Sequence, residues 1–185
     1  GERWVRLRSR VPFTIVRPAA VYGPGDSSGF LMVFDAVRRG WMPLIDGGLA
    51  RTSLIYVADL ARGILAALRS DAAVGQTYHL AHPRPCSQRQ LQENIARAMG
   101  VMRPRRVFFP HLLLYPICLL SELRASLTGQ VSMVNLQKIP ELVAPGWVCS
   151  ARKASDELGF TAGTPLSAGV RETLRWYVDN GWLSA

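Results

Sequence analysis

Few side chains in this sequence can do chemistry, and their spacing rules out most of it. The histidines His79, His82 and His111 have no partner at ligand spacing, and the cysteines Cys86, Cys118 and Cys149 are odd in number and far apart. Without a CxxC or Cys/His pattern, both a zinc site and a disulfide framework are disfavoured; no metal is expected, and a reducing compartment suits the chain. Two segments carry the remaining candidates. In TIVRPAAVYGPGD (Thr14–Asp26) an apolar strand runs into a Pro/Gly-rich turn holding Tyr22, and in SLIYVADL (Ser53–Leu60) a short strand holding Tyr56 runs into a helix start at Asp59. Tyr22 and Tyr56 are candidates for the border of a substrate cavity, with core packing the competing reading. Asp59 reads as a helix N-cap, accepting free N–H groups, rather than as a catalytic acid.

These segments must be held by a larger frame. Glu2–Arg10 has the pattern of an amphipathic helix with Trp4, Val5 and Leu7 as its apolar members, and it stops at Val11-Pro12, since the residue before proline avoids helical geometry. Phe13–Val16 reads as a buried parallel strand. Phe30–Arg39 is a helix closed by Gly40, Ser53–Val57 a strand, Leu60–Leu68 a helix and Thr77–Ala81 a strand. Ser87 and Gln90 form a capping-box pattern ahead of a helix that ends at Gly100. Ser150 is placed to cap a helix ending at Gly159, and Ser167 to cap the last one. Strands alternate with helices only in the first half, and the second half reads as mostly helical. The expected fold is therefore α/β, in two parts: residues 1–86 carry strand-helix units, and 87–185 form a mostly helical lobe.

The chain has 185 residues, 49% of them hydrophobic and 19% charged, enough apolar material for a packed core. Its net charge is +9, but the arginines are scattered and no nucleic-acid-binding motif accompanies them, so nucleic acid is not an expected partner. The stretch Val107–Leu120 is almost wholly apolar and is broken by Pro110 and Pro116. It is shorter than the roughly 18 apolar residues of a membrane span, and it reads either as a buried helical hairpin or as a face that touches lipid. Cytoplasmic placement is the expectation, with peripheral membrane contact through this face as an alternative.

Six blocks, in order, are VRPAAVYGPGD, SLIYVADLARGILAAL, GQTYHLA, SQRQLQENIARAMG, KASDELGF and GVRETLRWYVDNGWL. Together they cover nearly the whole chain and resemble the C-terminal part of extended short-chain dehydrogenases/reductases, the NAD-dependent epimerase/dehydratase superfamily. The resemblance implies the C-terminal part of a Rossmann-like doubly wound parallel sheet plus a small, mostly helical substrate lobe. It implies that the backbone of Pro18, Ala19, Ala20 and Val21 faces the nicotinamide of NAD or NADP, and that Tyr22, Thr52 and Tyr56 border the substrate.

The superfamily's glycine-rich GxxGxxG and its YxxxK catalytic pair are both absent from this sequence. By the family pattern the Tyr and Lys fall upstream of Gly1, so the expectation is a C-terminal fragment that lacks catalytic residues and binds dinucleotide weakly. Two departures bear on substrate. Nucleotide-sugar epimerases usually carry Asn where this chain has Ala20, and Arg where it has Thr52. The pattern is more similar to the 3β-hydroxysteroid dehydrogenase-like branch, which implies hydride transfer to or from a secondary alcohol or ketone that is apolar or sterol-like. A nucleotide-sugar epimerase or dehydratase is the alternative, and a non-catalytic binding or assembly module the second. An unpaired sheet edge and uncovered apolar faces imply self-association into homo-oligomers.

Overall fold

The computed structural model describes residues 1–27, 29–113, 115, 116, 118, 119, 121, 144 and 146–184. Helix α1 (Glu2–Arg8) leads into strand β1 (Ile15–Pro18) and, after Ala19, strand β2 (Ala20–Tyr22). Helix α2 (Gly29–Arg38), strands β3 (Trp41–Ile45), β4 (Arg51–Thr52) and β5 (Leu54–Tyr56), and helix α3 (Val57–Leu68) follow. Next come β6 (Thr77–Leu80), β7 (Cys86–Ser87), α4 (Gln88–Ala98) and β8 (Arg105–Phe109), and last β9 (Gly146–Trp147), α5 (Arg152–Leu158) and α6 (Leu166–Asp179).

The pairing is largely parallel, with helices carrying the chain from strand to strand, which makes this an α/β fold. β1 runs parallel to β6 from Ile15↔Thr77 to Pro18↔Leu80, and β2 parallel to β5 from Ala20↔Leu54 to Tyr22↔Tyr56. β3 runs parallel to β8, and β4 lies between antiparallel β7 and parallel β9.

Ala19 is where one strand changes partner. Its N–H donates to the Leu80 carbonyl at 2.9 Å, while the next N–H, that of Ala20, donates to the Ser53 carbonyl at 3.3 Å. Past Leu80 the other strand also turns to β5, with the His82 N–H donating to the Leu54 carbonyl at 2.7 Å. The carboxyl ends of β1 and β6 thus part around the start of β5. A parallel sheet leaves a crevice at such a fork, outside the strand ends.

All three residues of β5 are buried, as befits a strand covered on both faces. Leu54 and Tyr56 enter one core cluster with Tyr22, Phe34, Met42, Ile95, Val170 and Tyr177, and Ile55 enters the other with Tyr78, Leu80 and Phe160. Helix α3 closes tightly on the second cluster because residue 63 is glycine: a Cβ there would meet Leu80 Cδ1 at 2.7 Å and Phe160 Cε1 at 2.8 Å.

Several local expectations hold. Ser87 and Gln90 exchange both bonds of a capping box. Gly159 ends α5 with φ +62°, the left-handed geometry that glycine adopts without strain. Others are corrected. Asp59 is not the N-cap: α3 starts at Val57, and the Asp59 carboxylate bonds elsewhere. Ser167 does not cap α6, whose N-cap is Pro165, and α5 is preceded by Ala151, although the Ser150 hydroxyl accepts the Arg152 N–H at 3.3 Å. Among the described residues of the second half, the short strands β7, β8 and β9 accompany the helices. Arg105–Phe109 is a strand rather than part of a helical hairpin, because Trp41–Ile45 offers it a parallel partner. Within the rest of that apolar stretch Leu114, Ile117 and Leu120 lie outside the described residues, and Leu112 and Leu113 are exposed. Among the described residues no helix is long and apolar enough to cross a membrane.

Candidate active site

A cavity of about 660 Å³ opens at the fork. It is lined by the strand exit, Arg17, Pro18, Ala19 and Ala20, by His79 from β6, by Thr52 and Ser53, and by residues 146–149, which run beside Thr52 and Ser53 through the pairing of β9 with β4. Three of the four residues expected at the nicotinamide, Pro18, Ala19 and Ala20, lie on this wall together with Thr52. Val21 does not: it pairs with Ile55 and packs against the second core cluster.

Tyr22 and Tyr56 lie behind the wall, in the first core cluster. Tyr22 is 3% exposed, its ring 5.6 Å from that of Tyr56, and its hydroxyl points at Gly169 of α6, where a Cβ would stand only 2.5 Å from it. The Tyr56 hydroxyl donates to Glu172 Oε2 at 2.6 Å. Both residues anchor α6 to the back of the loop, and neither lines the cavity.

Burial raises the pKa of four tyrosines. Tyr56 is pushed up to about 12 by burial and by its bond to Glu172, Tyr78 to about 12 by burial and its bond to Glu157, and Tyr177 to about 12 by burial and the nearby Asp26. Tyr22 is raised further, mainly by burial. An unfolded tyrosine titrates near 10. The folded chain holds these protons more tightly, so their stabilisation is complete below about pH 10 and is lost as pH rises through about 12. The urea midpoint is expected to stay level from pH 8 to 9.5 and to fall steeply by pH 11.5; a level profile to pH 12 would contradict this burial.

The electrostatics of the wall are simple. Arg17 is the one arginine among the described lining residues, and its guanidinium makes a two-pronged bond to Glu2, at 2.8 and 2.5 Å. That bond holds the Glu2 carboxyl below its usual range. Arg51, the neighbour of Thr52, turns away and donates to the Pro85 carbonyl at 3.3 Å. Pro18, Ala19, Ala20, Trp147 and Val148 give the rest of the wall an apolar surface. Among the described residues no group of three or more His, Cys, Asp or Glu is placed to hold a metal ion, and all three cysteines are free thiols.

Sequence reasoning missed residues 146–149. They reach the site only because β9 pairs with β4, a contact between distant segments that leaves no local signal. His79, read as an ordinary polar position, also lies on the wall, since alternation along β6 turns it away from buried Tyr78 and Leu80.

Residues 2–81 match the NAD dependent epimerase/dehydratase family. The chain is 28% identical over 171 residues to 3beta-hydroxysteroid-dehydrogenase/decarboxylase isoform 2 of Arabidopsis thaliana, covering 86% of this chain and 30% of that protein. It is 27% identical over 169 residues to ceramide reductase of Caulobacter vibrioides, covering 91% and 52%. It thus spans about half the length, or less, of these curated relatives. In fold it is similar to UDP-glucose 4-epimerase of Thermotoga maritima, with a TM-score of 0.67 at 17% identity over 97% of this chain and 50% of that one. That likeness identifies the sheet as Rossmann-like.

Proposed function

We propose that this chain, whose residues 2–81 match the NAD dependent epimerase/dehydratase family, is part of an oxidoreductase of that family, and that its cavity forms the nicotinamide-side wall and part of the substrate pocket. The substrate in this reading is an apolar secondary alcohol or ketone. The family match and the curated relatives support the coarse class, an NAD-dependent oxidoreductase. The observation that carries the finer reading is the wall itself, where the single arginine is already paired to Glu2 and apolar side chains provide most of the surface. A nucleotide sugar brings phosphates, which call for unpaired, preferably two-pronged, arginine contacts.

The residues present fit the flat nicotinamide end of a dinucleotide. Pro18, Ala19 and Ala20 offer a strip of small side chains on a backbone fixed by sheet hydrogen bonds. The small residues of this strip do not cradle its phosphates, for which the superfamily uses a GxxGxxG loop at a helix N-terminus, and that motif does not occur in this sequence. A bound nicotinamide supplies or accepts hydride. In this reading the chain's own residues hold one face of the ring and exclude water from it; no proton-transfer pair of the YxxxK type is among them.

The test is a set of melting curves. Added at 1 mM, NADH or NADPH is expected to leave the midpoint within about 1 °C, while a soluble 3-hydroxysteroid raises it and UDP-glucose does not. A rise of several degrees with dinucleotide would overturn the weak-binding assignment, and a rise with UDP-glucose alone would overturn the apolar-substrate assignment.

A further inference from the structure

Residues 146–149 form a short strap along the cavity beside β4, fastened at several points. Position 146 must be glycine for the strap to lie where it does: a Cβ there would stand 2.6 Å from the Arg51 carbonyl oxygen. This close approach brings Trp147 into register with Thr52. The next residue, Ser53, is 2% exposed and holds the strap at two points. Its N–H donates to the Trp147 carbonyl at 2.8 Å, and its hydroxyl accepts the Cys149 N–H at 3.1 Å and donates to the Cys149 carbonyl at 3.3 Å.

A backbone fastened this firmly usually carries apolar side chains into a core. Here it does the reverse, since Trp147 is 57% exposed and Val148 59% exposed, and both line the cavity together with Ala20 and Thr52. Fixed apolar side chains held open to solvent beside a cavity are what a binding site for an apolar ligand requires, because their ordering has been completed before the ligand arrives.

We propose that the 146–149 strap is the substrate-recognition wall of this site, and that Trp147 is its specificity-determining residue, laying its indole against a flat, largely apolar ring system. This rests on the apolar-substrate reading above. Thr52, the register partner of Trp147, also lines the cavity and brings a hydroxyl beside the indole that suits one polar substituent on such a ring. Aromatic contact with a ring adds to the gain from burial alone, so its loss is readable in affinity.

The test uses the whole chain with a soluble 3-hydroxysteroid and UDP-glucose as probes, followed by equilibrium dialysis. Trp147→Ala is expected to weaken steroid binding about tenfold, and Trp147→Phe by less, because the phenyl ring keeps part of the contact. Both variants are expected to melt with the parent, since the indole is more than half exposed. Ser53→Ala, which removes the two hydroxyl bonds to Cys149 and leaves the indole present, is expected to weaken binding too. If the steroid binds the parent and both Trp147 variants equally, the strap inference is overturned and the apolar-substrate reading stands. If UDP-glucose binds and the steroid does not, the apolar-substrate reading falls, and the inference with it. Binding of neither probe overturns both.

Discussion

Replacing Tyr177 by alanine is expected to lower the unfolding free energy by about 4 kcal/mol, the scale for deleting a fully buried aromatic ring. Tyr177 is 0% exposed. Its ring meets Phe34 edge-on at 5.2 Å and stacks on Trp182 at 5.9 Å, so one side chain joins α6 to both α2 and the C-terminal segment. Its hydroxyl donates to the Asp26 carbonyl at 2.6 Å, which ties down the far end of the VYGPGD loop. The comparison variant Tyr177→Phe keeps the ring and leaves the Asp26 carbonyl without this donor, at an expected cost of about 1–2 kcal/mol. Urea unfolding at pH 7 reads both. A loss below about 1 kcal/mol for alanine would mean that α6 does not hold the loop from behind.

The second large effect falls on Asp59. Alanine there is expected to cost about 3 kcal/mol, and the melt should broaden if α6 separates from the sheet first. The carboxylate is 1% exposed and accepts two bonds from Thr164, the N–H at 2.9 Å and the hydroxyl at 2.9 Å, across 105 positions of sequence. Arg62 also pairs with it, but that guanidinium is 60% exposed and contributes little through screened charge. Most of the cost comes from leaving the Thr164 donors buried without an acceptor. Thr164→Val in the same background separates the two contributions: if the bonds to Thr164 dominate, the double variant loses little more than Asp59→Ala alone. Additive losses would move the source to Arg62 or to helix α3 itself.

Asp59 also shows which parts of this molecule can be read from the sequence. That Asp59 lies in the first turn of a helix is legible, because propensity is local; that it is not the N-cap is not, because its partner Thr164 lies 105 positions away and nothing within a few residues encodes it. The same division runs through the fold. The Ser87–Gln90 capping box, the left-handed Gly159 and the apolar strand at Thr77–Leu80 are legible from short-range chemistry. The β3–β8 pair is not. Pro43 interrupts one strand and Arg105 and Arg106 open the other, and each looks like a loop or surface segment until its partner is known. At the site, Pro18, Ala19, Ala20 and Thr52 are legible because strand and turn are contiguous there, whereas Trp147 and Val148 depend on the pairing of β9 with β4. Tyr22 and Tyr56 belong to the same contiguous segments, but strand alternation turns them to the core side, a choice of face that a short strand does not declare.

The fork at Ala19 divides the labour of folding from the labour of selectivity. The Ala19 and Ala20 amides are both committed to sheet bonds, while Tyr22, Tyr56, Gly169 and Tyr177 hold the loop from the protein side. The Ala20 side chain is exposed at the cavity and carries none of that load. Its volume and polarity are therefore free to change generation by generation, with the backbone course preserved. A descendant could acquire an amide or a longer side chain at that one position and meet a different ligand while keeping the same stability, which is the kind of freedom that lets one scaffold spread across many substrates.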